Sequence, residues 1–403
     1  MPSLFPPRVP RRLLACLVGG LLAGAVTAPA AAADSWTVPA DARITIRGHG
    51  YGHGHGMSQY GAEGAARAGL GYRKIARFYY PGTSWGRAGG RIAVLVSADT
   101  SDDVVVLART GLTVRDLGST ERWTLPENGA SRWRLAAGPG GTTVVSYLTK
   151  AWHQWKVLTS DAELFAGGEP IQLVTPTGTR PYRGRLRSAR PSPGSSARDT
   201  VNVLAMDNYL RGVVPLEMPA LWSPAAVQAQ AVAARTYAAY ERAHPRARHY
   251  QICDTTSCQV YGGYAAEHPA SNAAIDATRG EALLVGGQPA FTQFSSSSGG
   301  WTAAGSVPYL TARADPYDGW SGNPVHSWSV VVTDEAVEAR FPAIGNLQRI
   351  VVVGRDGNGD WGGRVVSMRV IGSAGRVTVS GDAARSVLGL RSTWFTFAVR
   401  AAR

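Results

Sequence analysis

The sequence predicts an α+β protein that is mainly β, with short twisted strands and one alanine-rich helix packed beside a substrate cleft. The chain has 403 residues, of which 44% are hydrophobic, enough for one large or two modest cores. Glycine (48 residues) and proline (24) are frequent, whereas only 17% of residues are charged. This balance is typical of short strands and turns.

The first segment, residues 1–33, has the pattern of a secretory signal peptide. Arginines precede an apolar run over residues 13–26, and Ala31-Ala32-Ala33 matches an A-x-A cleavage site. An uncleaved anchor is the alternative, but the run is shorter than the roughly 20 apolar residues of a spanning helix. We therefore expect a secreted, extracellular or wall-associated protein without a transmembrane anchor.

The formal net charge is +13, and it falls to +10 without the signal peptide, which has three arginines and no acidic residue. A secreted protein this basic is expected to be attracted to anionic cell-wall polymers. Because the arginines are scattered, a solvated basic surface is the alternative. Nucleic acid is not an expected partner, since no binding motif or Lys/Arg run is present.

Residues 34–90 are predicted to form a linker and a glycine-histidine segment. The stretch GHGYGHGHGMSQYGA starts at Gly48 and alternates glycine with other residues, including His49, His53 and His55. Glycine fits where another part of the chain approaches closely, whereas three histidines would favour a metal site. Two short helices are predicted within residues 64–83 that follow, interrupted by glycines.

Residues 91–403 are predicted to form the main domain. The stretches RIAVLVSA, DVVVLA, TTVVSYL and PIQLVTP indicate strands separated by turns. A helix is predicted with Ser223 as its N-cap and Pro224 at its first position. Near the C-terminal end, RDGNGDWGG starts like a calcium loop, but Trp361 stands where glycine is needed, so a hairpin turn is predicted.

Two cysteines remain after removal of the signal peptide. Cys253 and Cys258 are five residues apart, and export favours a disulfide between them. The alternatives are half of a zinc site together with His249, or free thiols. No fourth zinc ligand stands at a suitable spacing.

The stretch YLRGVVPLEMPALW contains one carboxyl group among apolar residues. Glu217 is preceded by Pro215 and Leu216 and followed by Met218. Loss of hydration disfavours the charged form and raises the pKa of a carboxyl group, which suits a general acid. The alternative is a surface glutamate near a helix start, where the helix dipole favours an anion.

Five stretches together resemble the SpoIID/LytB family of secreted cell-wall proteins. They are VNVLAMDNYLRGVVPLEMPALWSPAAVQAQAVAARTYA, DTTSCQVYGG, SSSSGGWT, the glycine-histidine stretch and GLRSTWF, and they span residues 48–395. The glycine-histidine stretch comes first here, whereas it lies towards the C-terminal end in the family's sporulation proteins. If the two ends of the chain lie close together, the stretch can still reach the same site.

The resemblance implies lytic cleavage of peptidoglycan glycan strands, with Glu217 as the catalytic acid. Hydrolytic glycosidases use two carboxyl groups, whereas a lytic transglycosylase can use one, because the sugar's own C6 hydroxyl closes on C1. The residues predicted to contact substrate are His53, Ser58, Gln59, Arg235, Tyr237, Gln259, Tyr261, Ser297, Ser298 and Thr302. For Arg235 and Tyr237, a buried structural role is an equal alternative.

Two other functions remain open at this point. One is a non-catalytic wall-binding or amidase-enhancing protein, which the LytB side of the resemblance allows. The other is a metal-dependent cell-wall amidase built on the three histidines. Only His53 matches the family's histidine, so no metal or other cofactor is expected, and the glycines are predicted to lie against the cleft.

Overall fold

The computed structural model describes residues 34–402, and the predicted signal peptide lies outside them. Strands take 37% of the residues and helices 22%, which confirms the α+β class with mainly β structure. The strands are β1 (Asp34–Thr37), β2 (Ala42–His49), β3 (Met57–Ser58), β4 (Ser84–Arg87), β5 (Arg91–Leu95), β6 (Asp103–Leu107), β7 (Thr113–Asp116), β8 (Arg122–Thr124), β9 (Arg132–Ala137), β10 (Thr143–Leu148), β11 (Trp152–Leu158), β12 (Ala162–Phe165), β13 (Ile171–Thr175), β14 (Gly178–Tyr182), β15 (Arg185–Ala189), β16 (Asp199–Ala205), β17 (Ile252–Cys253), β18 (Glu281–Val285), β19 (Gln288–Pro289), β20 (Phe294–Ser295), β21 (Trp301–Thr302), β22 (Arg313–Ala314), β23 (Ser327–Thr333), β24 (Leu347–Arg355), β25 (Val365–Gly372), β26 (Arg376–Ser380) and β27 (Phe395–Ala401). The helices are α1 (Gln59–Arg67), α2 (Tyr72–Tyr79), α3 (Met206–Arg211), α4 (Val214–Glu217), α5 (Pro224–Ala243), α6 (Pro269–Ala277), α7 (Asp334–Glu338) and α8 (Gly381–Leu388).

The larger hydrophobic core lies between two sheets and a group of helices. One sheet has the order β17-β5-β16-β15-β12-β7-β8 and the other β11-β10-β9-β6-β13-β14. Valines and leucines of both sheets are buried in the same core, as are the inward residues of α1, α2 and α5. Alternate residues of β6 and β13 are buried, as expected for strands with one face on a core.

Helix α5 is the longest helix among the described residues and agrees with its prediction. It starts at Pro224 after the N-cap Ser223 and has buried alanines along most of its length. Small side chains allow other elements to approach closely, and α1, α2, α3, α6 and β18 all contact this helix. It is therefore the central support of the larger core.

A second, smaller core combines both ends of the described chain. Strand β2 pairs antiparallel with β27 on one side and β23 on the other, and β1 pairs with β24. Ile44, Ile46 and Phe395 are fully buried in this core. The predicted turn at RDGNGDWGG connects the antiparallel strands β24 and β25. Each core contains residues from both sides of position 90. The predicted domain boundary at residue 90 stays a prediction.

Candidate active site

Glu217 ends α4, a single helical turn fixed on the larger core. Val213 and Val214, at the start of this turn, are fully buried, and so is Met218 directly after it. The Glu217 N–H donates to the Val213 carbonyl at 3.1 Å. The apolar residues that surround Glu217 in the sequence thus anchor its backbone, while its own side chain is half-buried.

The Glu217 carboxyl group accepts few hydrogen bonds. The Val260 N–H donates to Glu217 Oε1 at 2.8 Å. Burial raises the pKa of Glu217, and the Val260 N–H and the nearby Gln59 side chain act in the opposite direction without cancelling it. Within residues 34–402 no cation forms an ion pair with this carboxyl group. Glu217 is therefore a partly desolvated acid that keeps its proton to a higher pH than an exposed glutamate.

Helix α1 brings Gln59 to Glu217. Ser58 is the N-cap of α1, and its hydroxyl oxygen accepts from the Gly61 N–H at 2.9 Å. The buried Glu63 carboxylate accepts from both the Ser223 N–H and the Ser223 hydroxyl, at 2.9 and 3.1 Å. This contact fixes α1, which begins at Gln59, to the start of α5.

Two half-buried aromatic rings lie beside this contact. The centroids of Tyr60 and Trp222 are 4.9 Å apart, and Trp320 completes the group at 6.4 Å from each of them. Leu221, next to Trp222, has an exposed fraction of 82%. The chain around Glu217 thus presents apolar surface to solvent on one side.

The glycine-histidine segment, residues 48–56, lies against the serine run, residues 295–298. Tyr51 forms a bridge with Ser297, and β3 pairs with β20. Gly50 and Gly56 have positive φ values of 74° and 66°. A Cβ atom would lie 2.7 Å from the Ser297 carbonyl oxygen at Gly50 and 2.0 Å from the Gln293 carbonyl oxygen at Gly56. The glycines are required for this close approach.

A buried carboxylate that the sequence analysis missed organises the serine run. This carboxylate is Asp318, and six residues donate hydrogen bonds to it. Together with Asp318 they form what we call the Asp318 cluster: Ser58, Ser297, Ser298, Gly299, Asn323 and His326. Asp318 is fully buried, and its hydrogen bonds from Ser58 and His326 are 2.6 and 2.8 Å long. Burial alone would raise the pKa of Asp318, yet the hydrogen bonds lower it.

Three of the predicted substrate-contact residues, two in the serine run and one just after it, are buried in the Asp318 cluster or next to it. Ser298 donates from its hydroxyl to the buried Asp315 at 2.8 Å, and Thr302 donates to the Thr311 carbonyl at 2.8 Å. Ser297, Ser298 and Thr302 are each at most 1% exposed. Their side chains hold the fold around the glycine-histidine segment, and direct contact with substrate stays a prediction.

His53 forms its hydrogen bond with His55 and not with Glu217. It accepts from the His55 N–H at 2.9 Å, and the two rings stack at 5.0 Å. Both rings line a cavity of about 320 Å³ beside Arg364. Burial lowers the pKa of His53 to about 3, so the ring is neutral. None of its hydrogen bonds within the described chain goes to Glu217.

The structure favours the buried structural role for Arg235 and Tyr237. Arg235 is fully buried, pairs with Asp207 at 2.9 Å and donates to two backbone carbonyls. The Tyr237 hydroxyl accepts from Arg246 at 3.2 Å. Neither side chain has a described contact with Glu217.

Gln259 and Tyr261 flank Val260, the residue that donates to Glu217. Gln259 accepts from the Tyr209 hydroxyl at 3.1 Å, and the Tyr261 hydroxyl donates to Asn202 at 2.6 Å. Both side chains are buried. They fix the backbone of Val260 and so act on Glu217 indirectly.

The cysteines just before this stretch form a disulfide. Cys253 and Cys258 are joined, so neither sulfur is a thiolate in this state. His249 instead pairs with Asp199 at 2.5 Å. Among residues 34–402 no group of three or more His, Cys, Asp or Glu side chains is arranged to hold a metal ion.

No local signal in the sequence marks Asp318 or its neighbour Asp315. Both lie in the stretch RADPYDGW. Asn323 and His326, nearby in the sequence, donate to Asp318, but so does Ser58, 260 positions earlier. His326, which is one-third exposed and whose pKa is raised by its hydrogen bond to Asp318, was missed as well, because nothing in the sequence indicates that Asp318 is buried.

Comparisons with known proteins confirm the resemblance predicted from the motifs. A family model described as SpoIID, Stage II sporulation protein, matches residues 195–284. The chain is 37% identical over 137 residues to a protein named Amidase enhancer from Bacillus subtilis (strain 168), covering 32% of this chain and 18% of that protein. It is 28% identical over 258 residues to Stage II sporulation protein D of the same organism, covering 57% of this chain and 72% of that protein.

An uncharacterized protein from Brachyspira hyodysenteriae is 36% identical over 125 residues, which cover 29% of this chain and 34% of that protein. The match thus spans about a third of that relative and less than a fifth of the amidase enhancer. No helix within residues 34–402 is long and apolar enough to cross a membrane.

Proposed function

Because residues 195–284 of this chain belong to the SpoIID family, we propose that the protein is a secreted lytic transglycosylase that cleaves peptidoglycan glycan strands. The family supports a cell-wall-related function. The observation that carries the proposal is the surroundings of Glu217: one partly desolvated carboxyl group with one backbone hydrogen-bond donor, the nearby Gln59 side chain and no paired cation among the described residues.

A single acid suits this reaction better than hydrolysis. Hydrolytic glycosidases use two carboxyl groups on either side of the scissile bond. Asp207, the acid that follows β16, is engaged by Arg235, while Asp315 and Asp318 are buried. Asp207 is held by its ion pair, and the two buried carboxyl groups are poorly placed to meet a sugar, so of these four acids we assign the reaction to Glu217.

The proposed reaction uses Glu217 as acid and then as base. Protonated Glu217 gives its proton to the glycosidic oxygen as the bond from that oxygen to C1 of the muramic residue breaks. The C6 hydroxyl oxygen of the same residue bonds to C1, and the glutamate carboxylate takes the hydroxyl proton. An attacking group within the same sugar gains from proximity, an effect of up to about 7–11 kcal/mol in well-oriented cases.

The pKa of Glu217 supports both steps. Desolvation keeps the proton available for the first step, and the Val260 N–H and Gln59 side chain stabilise the carboxylate that remains after it. Tyr60, next to Gln59 in the chain, and Trp222, five residues after Glu217, offer ring surface on which the apolar face of a sugar can lie.

Glu217→Gln tests the proposal because it keeps the shape and removes the proton. We expect release of anhydromuramic ends from purified glycan strands to fall by about 10²–10⁴-fold. Mass spectrometry identifies such ends, since they are lighter by one water than hydrolytic ends. The matched control is Glu127→Gln at an exposed glutamate, which should cleave like the wild type. Unchanged release in Glu217→Gln would remove Glu217 from the mechanism.

A non-catalytic, amidase-enhancing role is the second candidate. The relative named Amidase enhancer, 37% identical to this chain, favours it. In that case neither the wild type nor Glu217→Gln would release anhydromuramic ends, and both would increase cleavage by a separately added wall amidase. No comparison favours the metal-dependent amidase, and among residues 34–402 no group of three or more possible ligands is arranged to hold a metal ion.

A further inference from the structure

The sheet β23-β2-β27 has one face that the proposed function does not use. Along β2, Ile44 and Ile46 are buried in the second core, and Arg43, Thr45 and Arg47 alternate onto the opposite side. Antiparallel sheets commonly bury one face and expose the other to water. The second face is thus open to a partner.

Three arginines occupy this open face, and we call it the arginine face: Arg43, Arg47 and Arg400. Arg43 on β2 lies directly opposite Arg400 on β27. Arg47 is four residues further along β2, or about 13 Å. None of the three makes an ion pair or a side-chain hydrogen bond with any residue in the range 34–402.

This arrangement costs stability in the free protein. Like charges directly opposite each other on paired strands are destabilising. Other arginines of the molecule have an acidic partner, for example Arg187 with Glu163 and Arg190 with Asp161. An anionic ligand would relieve the repulsion between Arg43 and Arg400, so these positions have the charge pattern of a binding site.

The arginine face is concave and has a floor of small side chains. A cavity of about 720 Å³ lies over it, with Thr45, Val331 and Ala398 between the arginines. That volume exceeds what one ion needs. The line of charge along β2, with Arg400 beside it, fits an extended chain that carries several anionic groups.

We propose that the arginine face binds a phosphodiester-linked anionic polymer of the cell wall. Guanidinium groups donate two hydrogen bonds at once to a phosphate, in a planar geometry that a point charge does not offer. The proposal rests on the wall location in the proposed function and does not depend on catalysis by Glu217.

The composition of the face favours such a polymer over a membrane or a single-stranded nucleic acid. Helices that insert at a membrane surface use tryptophan, phenylalanine and leucine, and single-stranded nucleic acid is bound by aromatic rings that stack on the bases. The residues that line this cavity include no aromatic side chain, and Val331 is their largest apolar one.

Binding of a fluorescent glycerol phosphate decamer, followed by anisotropy, tests the proposal. The triple variant Arg43→Gln, Arg47→Gln, Arg400→Gln should weaken binding at least about tenfold, and the slope of log K against log salt should fall by about 2 between roughly 50 and 200 mM salt. The control replaces three exposed arginines in three other sheets, Arg91, Arg132 and Arg376, by glutamine; none of them lies opposite another arginine. It changes the net charge equally and should weaken binding less than about twofold.

Further measurements decide the source of the anion and the role of charge. Replacing the three arginines by lysine should keep the salt slope; a lysine variant that binds as weakly as the glutamine variant would overturn the electrostatic role. Equal losses in the control triple, or tighter arginine-dependent binding to phosphatidylglycerol vesicles or a DNA oligonucleotide, would also overturn the proposal. Glu217→Gln should bind the decamer normally while losing cleavage, so each proposal fails on its own readout.

Discussion

Glu217 and Asp318 are two carboxyl groups whose surroundings shift their pKa values in opposite directions. Burial raises the pKa of Glu217, and the Val260 N–H and the Gln59 side chain offset this effect only in part. Asp318 is more deeply buried, yet hydrogen bonds from His326, Ser58 and Ser297 lower its pKa despite the burial. For these two carboxyl groups the hydrogen-bond donors, and not depth alone, therefore set the direction of the pKa shift.

One short stretch of chain serves both groups. Ser58 donates to Asp318, and the side chain of Gln59, the next residue, lowers the pKa of Glu217. A fixed anion thus lies on one side of this stretch and an acid with a transferable proton on the other. Asp318 therefore supports the fold, and Glu217 is the candidate for catalysis. The two roles can be tested separately.

The largest expected effect on stability comes from removing Asp318. Asp318→Ala leaves several buried donors without an acceptor, including the Ser298 and Gly299 N–H groups. We expect the free energy of unfolding to fall by about 3–5 kcal/mol. Urea unfolding followed by circular dichroism measures it.

Asp360 provides the matched control for that change. Its side chain is 70% exposed and lies 3.4 Å from His49. Asp360→Ala should change the free energy of unfolding by no more than about 0.5 kcal/mol. If Asp318→Ala cost as little as Asp360→Ala, the Asp318 cluster would not be the support that the comparison assigns to it.

The opposite pKa directions predict opposite pH dependences of stability. This effect is smaller, at most about 1.4 kcal/mol for each unit by which the pKa differs between the folded and unfolded states. The pKa of Glu217 is higher in the folded state, so its contribution to stability is present at low pH and is lost as the pH rises through the folded pKa. Glu217→Gln has no such loss and should gain stability relative to the wild type as the pH rises from the unfolded value of about 4.3 through the folded pKa.

The sign reverses for Asp318. Its pKa is lower in the folded state, so its contribution is present above the unfolded value of about 3.9 and is lost as the pH falls through the folded pKa. The deficit of Asp318→Asn should therefore shrink in acid. Thermal unfolding across the pH range measures both variants, and parallel pH curves for the two would contradict the comparison.

The sequence predicted the parts of this molecule that depend on local patterns. Runs such as RIAVLVSA and PIQLVTP correspond to β5 and β13, and the helix after Ser223 starts where proline and its N-cap place it. The partial burial of Glu217 also follows from its immediate apolar neighbours. Each of these inferences uses residues within a few positions of one another.

The contacts that join remote segments were not predicted. Nothing near Asp318 in the sequence indicates that Ser58, 260 positions earlier, donates to it. The serines were therefore predicted to contact substrate, whereas the structure places their hydroxyl groups on buried carboxylates. The pairing of β2 with β27, which brings the glycine-histidine segment to the C-terminal strands, is equally non-local.

Gln59 gives the smallest and most specific test, since it separates positioning from folding. Its polar side chain lowers the pKa of Glu217, so Gln59→Leu should raise that pKa and shift the alkaline limb of the cleavage profile to higher pH. We expect kcat to fall only a few-fold, because Glu217 itself remains. The matched control is Gln348→Leu at an exposed position of β24. A fall in rate with no displacement of the limb would show that Gln59 merely supports the fold.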